Sequence, residues 1–118
     1  MDQKKDFDIL FLGGLFPQEM LSEILLNSIG GVDNAANNLQ WNLVSGLDKH
    51  LIKPISVVNS LYVGSYPRRY KKGLISTSDF AHSVGSKDVN VGFLNIPLVK
   101  HLSRALSVRP HLKKWVFN

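Results

Sequence analysis

The chain has 118 residues, 44% of them hydrophobic and 19% charged, which suits one folded domain around one core and excludes a disordered segment or two independent domains. It contains no cysteine, which excludes disulfides and thiolate metal sites. The net charge of +5 is split unevenly: residues 1–63 hold four Lys and Arg against seven Asp and Glu (−3), and residues 64–118 hold ten against two (+8). A basic half of this kind suits nucleic acid, anionic lipid or a phosphorylated small molecule, and equally a surface that is merely solvated.

The first six residues include the charged Asp2, Lys4, Lys5 and Asp6 and carry no apolar run of signal-peptide type. The apolar run from Ile9 to Phe16 is interrupted by Gly13-Gly14 and is too short to span a bilayer, so the expected location is the cytoplasm. Phe7 to Leu12 is an almost continuous apolar stretch, the pattern of a strand buried on both faces at the centre of a parallel sheet. Pro17 opens a short helix or structured loop over residues 18–28, with Leu21, Ile24, Leu25 and Ser28 on one face. Gly30-Gly31 then breaks the chain direction, and Asp33 is suited to cap the next helix. From Asn34 to His50 the residues Ala36, Leu39, Leu43 and Leu47 recur at spacings of three and four, which predicts an amphipathic helix with Lys49 and His50 at its negative end. After Pro54, residues 55–63 are rich in β-branched side chains and predict a second strand.

Strand, helix and strand make a βαβ unit, so the expected fold class is α/β with a parallel sheet in which both strands are central. Residues 64–73 form a basic, proline-containing loop; Leu74 to Ser78 is a candidate third strand, and residues 80–91 read as loop with one extended piece. Pro97 starts a helix with Leu98, His101, Leu102, Ala105 and Leu106 on one face, and Arg109-Pro110 is expected to end it and seed a last helix.

Four features bear on chemistry. Gly13-Gly14 and Gly30-Gly31 stand where α/β folds place their ligand crevice, and the helix after Gly31 offers free N–H groups to a phosphate, although plain turns have the same composition. No GxGxxG fingerprint is present. Asn34, Asn37 and Asn38 crowd the first turns of a helix they do not favour, which suits either a polyhydroxylated ligand or capping. Tyr66 to Lys72 mixes aromatic and basic residues after the second strand, as phosphate and nucleic-acid sites do, and as solvated loops do. The histidines His50, His82, His101 and His111 have no metal-ligand spacing, and no GxSxG places a nucleophile, so no metal, cofactor or catalytic residue is expected.

Taken together, Asp8 to Gly14, Gly30 to Ala36, Val58 to Ser60 with Gly64 to Pro67, and Val91 to Pro97 resemble the N-terminal domain of GT-B-fold glycosyltransferases of the bacterial family 4 type. The resemblance spans most of residues 7–115, and no single motif in it is diagnostic. It implies a Rossmann-like domain on the acceptor side of a two-domain enzyme, with Gly30 and Gly31 facing the interdomain cleft, Asn34 and Arg68 beside them, and His82 lining it. The implied partners are a nucleotide sugar, a glycan or lipid-linked acceptor and a second, nucleotide-sugar-binding domain, with peripheral membrane contact through the basic half. The family's basic residues and paired glutamates for the donor have no counterpart here, and the chain stops at Asn118 where another strand is due, so it is expected to be inactive alone. The alternative reading is a small basic α/β module that binds nucleic acid through residues 64–72.

Overall fold

The computed structural model describes residues 3–117. Leu10–Gly13 forms β1, and a 3₁₀ turn, Gln18–Met20, leads into a short helix, Leu21–Asn27 (α1). Asn34–Asp48 (α2) then returns to Ser56–Asn59 (β2), followed by four short strands: Leu74–Ile75 (β3), Ser78–Phe80 (β4), Asp88–Asn90 (β5) and Phe93–Leu94 (β6). Lys100–Phe117 (α3) closes the chain.

The main sheet has the order β1-β2-β5-β4, and β3 pairs with β6 in a separate antiparallel ribbon. β1 and β2 run parallel, Leu10 opposite Ser56 and Gly13 opposite Asn59, and β2 pairs parallel with β5. β4 pairs antiparallel with β5, so the protein is α/β with a mixed sheet. Alternation along the strands sends each face to a different helix. Ile9, Phe11 and Val57 pack with Trp41, Val44 and Leu47 of α2. Leu10, Val58, Val89 and Val91 pack with Val108 and Leu112 of α3. Coverage on both faces is why the strands read as near-continuous apolar runs. A third cluster, built on Phe16, Ile24, Leu61, Val63, Tyr70, Ile75 and Phe93, lies beyond the carboxyl ends of β1 and β2.

The expected parallel strand–helix–strand unit is present, with four corrections. The sheet is mixed because seven residues after β4 the chain doubles back as β5, too short a connection for a parallel crossover. β1 is an edge strand among the described residues, since α2 carries the chain directly to β2 and no other strand takes its free side. The second strand is only four residues long, because Asn59 and Ser60 turn their polar groups to Leu15, Asn90 and Arg104. Finally, α3 runs unbroken through Pro110. Pro110 itself is exposed, while Val108 and Leu112 on either side of it are held against the sheet. Their burial offsets the roughly 3 kcal/mol that an interior proline costs.

The face of α2 also differs from its apolar spacing. Leu39 and Leu43 are exposed, and the inward stripe is Asn37, Gln40, Trp41, Val44, Leu47 and Asp48. Three of these grip the loop after β1: Gln40 Oε1 accepts from the Gly14 N–H at 2.7 Å, Asn37 Oδ1 from the Phe16 N–H at 2.7 Å, and Trp41 Nε1 donates to the Phe16 carbonyl at 3.1 Å. These three bonds fix the rotation of the helix, since each backbone group left unpaired there would cost about 1–3 kcal/mol. Among the described residues no helix is long and apolar enough to cross a membrane.

Candidate functional site

A cleft of about 520 Å³ opens beyond the carboxyl end of β2. Its floor is the Tyr62 to Ser65 segment that leaves β2; one wall is Gly30 to Asp33 ahead of α2, and the other is the first turn of α3. Gly30 (φ 88°) and Gly31 (φ 118°) adopt left-handed backbone, and no heavy atom lies within 4 Å of where a Cβ would stand on either. The conformation selects glycine, and the open space lets a ligand approach the backbone. Asp33 caps α2 by accepting from the Ala36 N–H at 3.0 Å.

The loop from Gly64 to Gly73 is held in place from three directions. The Ile29 N–H donates to the Arg69 carbonyl and the Lys71 N–H to the Asn27 carbonyl. Buried Asn95 donates from Nδ2 to the carbonyls of Gly64 and Lys72. Glu23 pairs with Lys72 at 2.8 Å. Gly64 has to be glycine, because a Cβ there would overlap the Cβ of Arg69. Tyr70 is buried, and desolvation followed by Glu23 raises its phenol above the usual value.

The polar lining is cationic. Arg69, Lys100, His101 and Arg104 face the cleft, with Tyr62 and Asp33 as its other titratable groups. Lys100 is 9% exposed and its ammonium donates to the Val63 carbonyl. Arg104 donates from Nε to Ser60 Oγ at 2.8 Å and from Nη2 to the Ser60 carbonyl at 3.0 Å, and its guanidinium lies 5.2 Å from the Phe93 ring centre. Burial, and then the charge of Arg104, pushes Lys100 below the usual lysine value. Burial also lowers Arg104, against the opposing effect of Tyr62.

Of the residues singled out from the sequence, Gly30 and Gly31 line this cleft. Asn34 is exposed one residue beyond the cap and does not line it, and the exposed Arg68 leaves that place to Arg69. His82 lies elsewhere. Its side chain is 2% exposed, with Nε2 2.7 Å from Asp48 Oδ2 and Nδ1 2.7 Å from Asp88 Oδ2. Asp48 ends α2 and Asp88 begins β5, so His82 sits at the amino end of the parallel strands. The 15-residue α2 separates it from Gly31 by about 22 Å. The expectation that His82 lines the cleft therefore fails: both its ring nitrogens are taken by carboxylates that tie α2 to β5. Lys100 and Arg104 escape a reading by apolar spacing, which takes in only His101 of the three. The signal they do carry is their sign, since α3 opens on cations with no acid in its first turn, against the helix dipole.

A larger hollow of about 670 Å³ lies at the other end of the sheet, lined in part by Asp79, Lys87, Asp88, His111 and Lys114. Its acids and bases are mixed, and α/β sheets bind ligands at the carboxyl ends of their strands, so the smaller cleft is the candidate site. Comparison with protein-family models, curated proteins and solved structures finds no match for the chain.

Proposed function

We propose that this chain is the Rossmann-like, acceptor-side domain of a GT-B-type glycosyltransferase. In this reading the cleft between Gly30-Gly31 and α3 receives a glycan or lipid-linked acceptor, and the nucleotide of the donor sugar is held by a second domain. One observation carries the reading: a left-handed, unobstructed diglycine at the start of the long helix, opening on a cleft beyond the carboxyl end of β2. The segments that resemble the family, Gly30 to Ala36 and Gly64 to Pro67, meet at or beside this cleft. The chain alone transfers no sugar, because catalysis needs donor and acceptor held in register and fixed groups for the leaving diphosphate.

Binding is the direct test. Purified protein is titrated with nucleotide sugars and with soluble and lipid-linked glycans that differ in sugar stereochemistry. The reading requires saturable binding that discriminates between epimers and is lost in Gly31→Trp and in Ser65→Trp. The serine variant has an ordinary backbone conformation and separates blockade from misfolding. Indifference to stereochemistry would sink the sugar-transfer reading, as would full binding by both variants.

A further inference from the structure

We propose that Lys100 and Arg104, with Arg69 at the rim, form a clamp for a phosphate or diphosphate group carried by the ligand of this cleft. The proposal rests on the acceptor-side reading for its ligand's other parts, and on the charges of the cleft for itself.

The cleft holds uncompensated positive charge. Lys100 is nine-tenths buried, and Arg104 is half-buried between Ser60 and Phe93. Among the described residues neither has a carboxylate within ion-pair distance; the pairs present are Lys53 with Asp8, Lys72 with Glu23, and His82 with Asp48 and Asp88. Burying a cation without a counter-charge is costly, and two of them facing one cavity add their repulsion. Both stand in the first turns of α3, where the helix dipole is positive as well. A surface with no ligand would not retain this arrangement cheaply, and an anion seated between the two side chains relieves every one of these penalties.

Hydrogen-bonding capacity points the same way. The Lys100 ammonium spends one of its three donors on the Val63 carbonyl. Arg104 uses two of its five N–H groups on Ser60. The Val63 and Ser60 contacts hold both heads in place, and the remaining donors are free for oxygen atoms in the cleft. Several donors on preset cations match the multiple oxygens of a phosphoryl group better than the single plane of a carboxylate. Gly30 and Gly31 line the same cleft, with open space within 4 Å of where a Cβ would stand on either. The phosphoryl group could belong to a lipid headgroup or to a soluble phosphorylated compound, and the chemistry of the clamp is the same for both.

The test titrates the protein with inorganic pyrophosphate by calorimetry, beside Lys100→Met, Arg104→Met, Arg69→Ala and Lys113→Met. Lys113 is exposed on α3 outside the cleft and controls for net charge. The expected result is one saturable site, weakened at least about ten-fold by Lys100→Met and by Arg104→Met, the loss of one charge-assisted hydrogen bond. Arg69→Ala is expected to weaken it about three-fold, and Lys113→Met by less than about two-fold. Because Lys100 is a buried charge, Lys100→Met is expected to melt no lower than the parent, so its lost affinity cannot be assigned to unfolding. Should either methionine variant fail to fold, the exposed Arg69→Ala against Lys113→Met decides the question. No saturable binding, or equal losses in the cleft variants and Lys113→Met, overturns the clamp.

Vesicles of phosphatidylcholine with and without phosphatidic acid then separate the sources. Sedimentation with the anionic vesicles that pyrophosphate reverses assigns a lipid headgroup, and pyrophosphate binding without sedimentation assigns a soluble ligand. Phosphate binding with no sugar dependence leaves the clamp standing and removes the sugar-transfer reading. Epimer-selective binding indifferent to Lys100→Met and Arg104→Met does the reverse.

Discussion

Replacing His82 with alanine probes the far end of the sheet, where the sequence suggests a ligand residue and the structure holds a staple. The ring bridges Asp48 and Asp88 at 2.7 Å on each side with its side chain 2% exposed, and Asp88 is fully buried. Removing one partner of a buried hydrogen bond costs about 1–3 kcal/mol for each group left without it. Asp88 would keep donors from the Val57 N–H, the His82 N–H and Ser86 Oγ, and Asp48, 21% exposed, can recover water. With two carboxylates affected and these contacts retained, the cost is about 3 kcal/mol. At about 4 °C per kcal/mol for a domain of this size, the melting temperature should fall by about 12 °C. Thermal unfolding followed by circular dichroism measures this, and a cycle with Asp48→Asn should return a coupling of at least about 1 kcal/mol. Ligand binding at the cleft should survive below the transition. A shift under about 3 °C refutes the staple, and so does loss of cleft binding with the fold intact, which would return His82 to the site.

Asn59→Leu leaves the Leu15 carbonyl and Asn90 Oδ1 without their buried donor and should lower stability by about 2 kcal/mol in a urea titration. Pyrophosphate affinity should fall with rising pH before the usual lysine value of 10.5 is reached, because burial and then Arg104 lower Lys100 and the anion prefers the ammonium. In unliganded protein the sign is opposite: the fold disfavours the Lys100 charge, so its contribution to stability rises as pH climbs through that lowered value towards 10.5. Arg69, His101, Arg104, Tyr62 and Asp33 face the same cleft, so Lys100→Met is the variant whose flattened profile assigns the effect. Leu94, Val99, Leu102 and Leu106 line an apolar depression along the outer side of α3, and concentration-dependent association seen by light scattering should weaken in Leu102→Glu.

The βαβ core is legible because it is local. The apolar run ending at Gly13, the cap at Asp33 and the β-branched residues after Pro54 each act within a few positions, and α2 ends within two residues of its expected limit. The rotation of α2 is not legible, because Leu39 and Leu43, four apart, fit a helical face as well as Trp41 and Val44, three apart. The choice falls to three hydrogen bonds that reach back more than twenty residues to Gly14 and Phe16. The continuity of α3 through Pro110 likewise depends on what Val108 and Leu112 pack against. Within the site, positive φ favours glycine, so the paired Gly30 and Gly31 can be read directly. Lys100 and Arg104 acquire meaning only when α3 is laid beside the end of β2, and His82 loses its suggested place only when Asp48 and Asp88 are brought to either side of it.

The most direct test of the cleft is amide NMR mapping of the protein titrated with a nucleotide sugar and, separately, with a glycan acceptor and with pyrophosphate. The account predicts the largest shifts at Gly30, Gly31, Gly64, Ser65, Lys100 and His101, with the amides around Lys87 and Asp88 unmoved. Shifts concentrated at Lys87, Asp88 and His111, around the larger hollow at the other end of the sheet, would contradict it, and so would a spectrum that none of the three ligands changes.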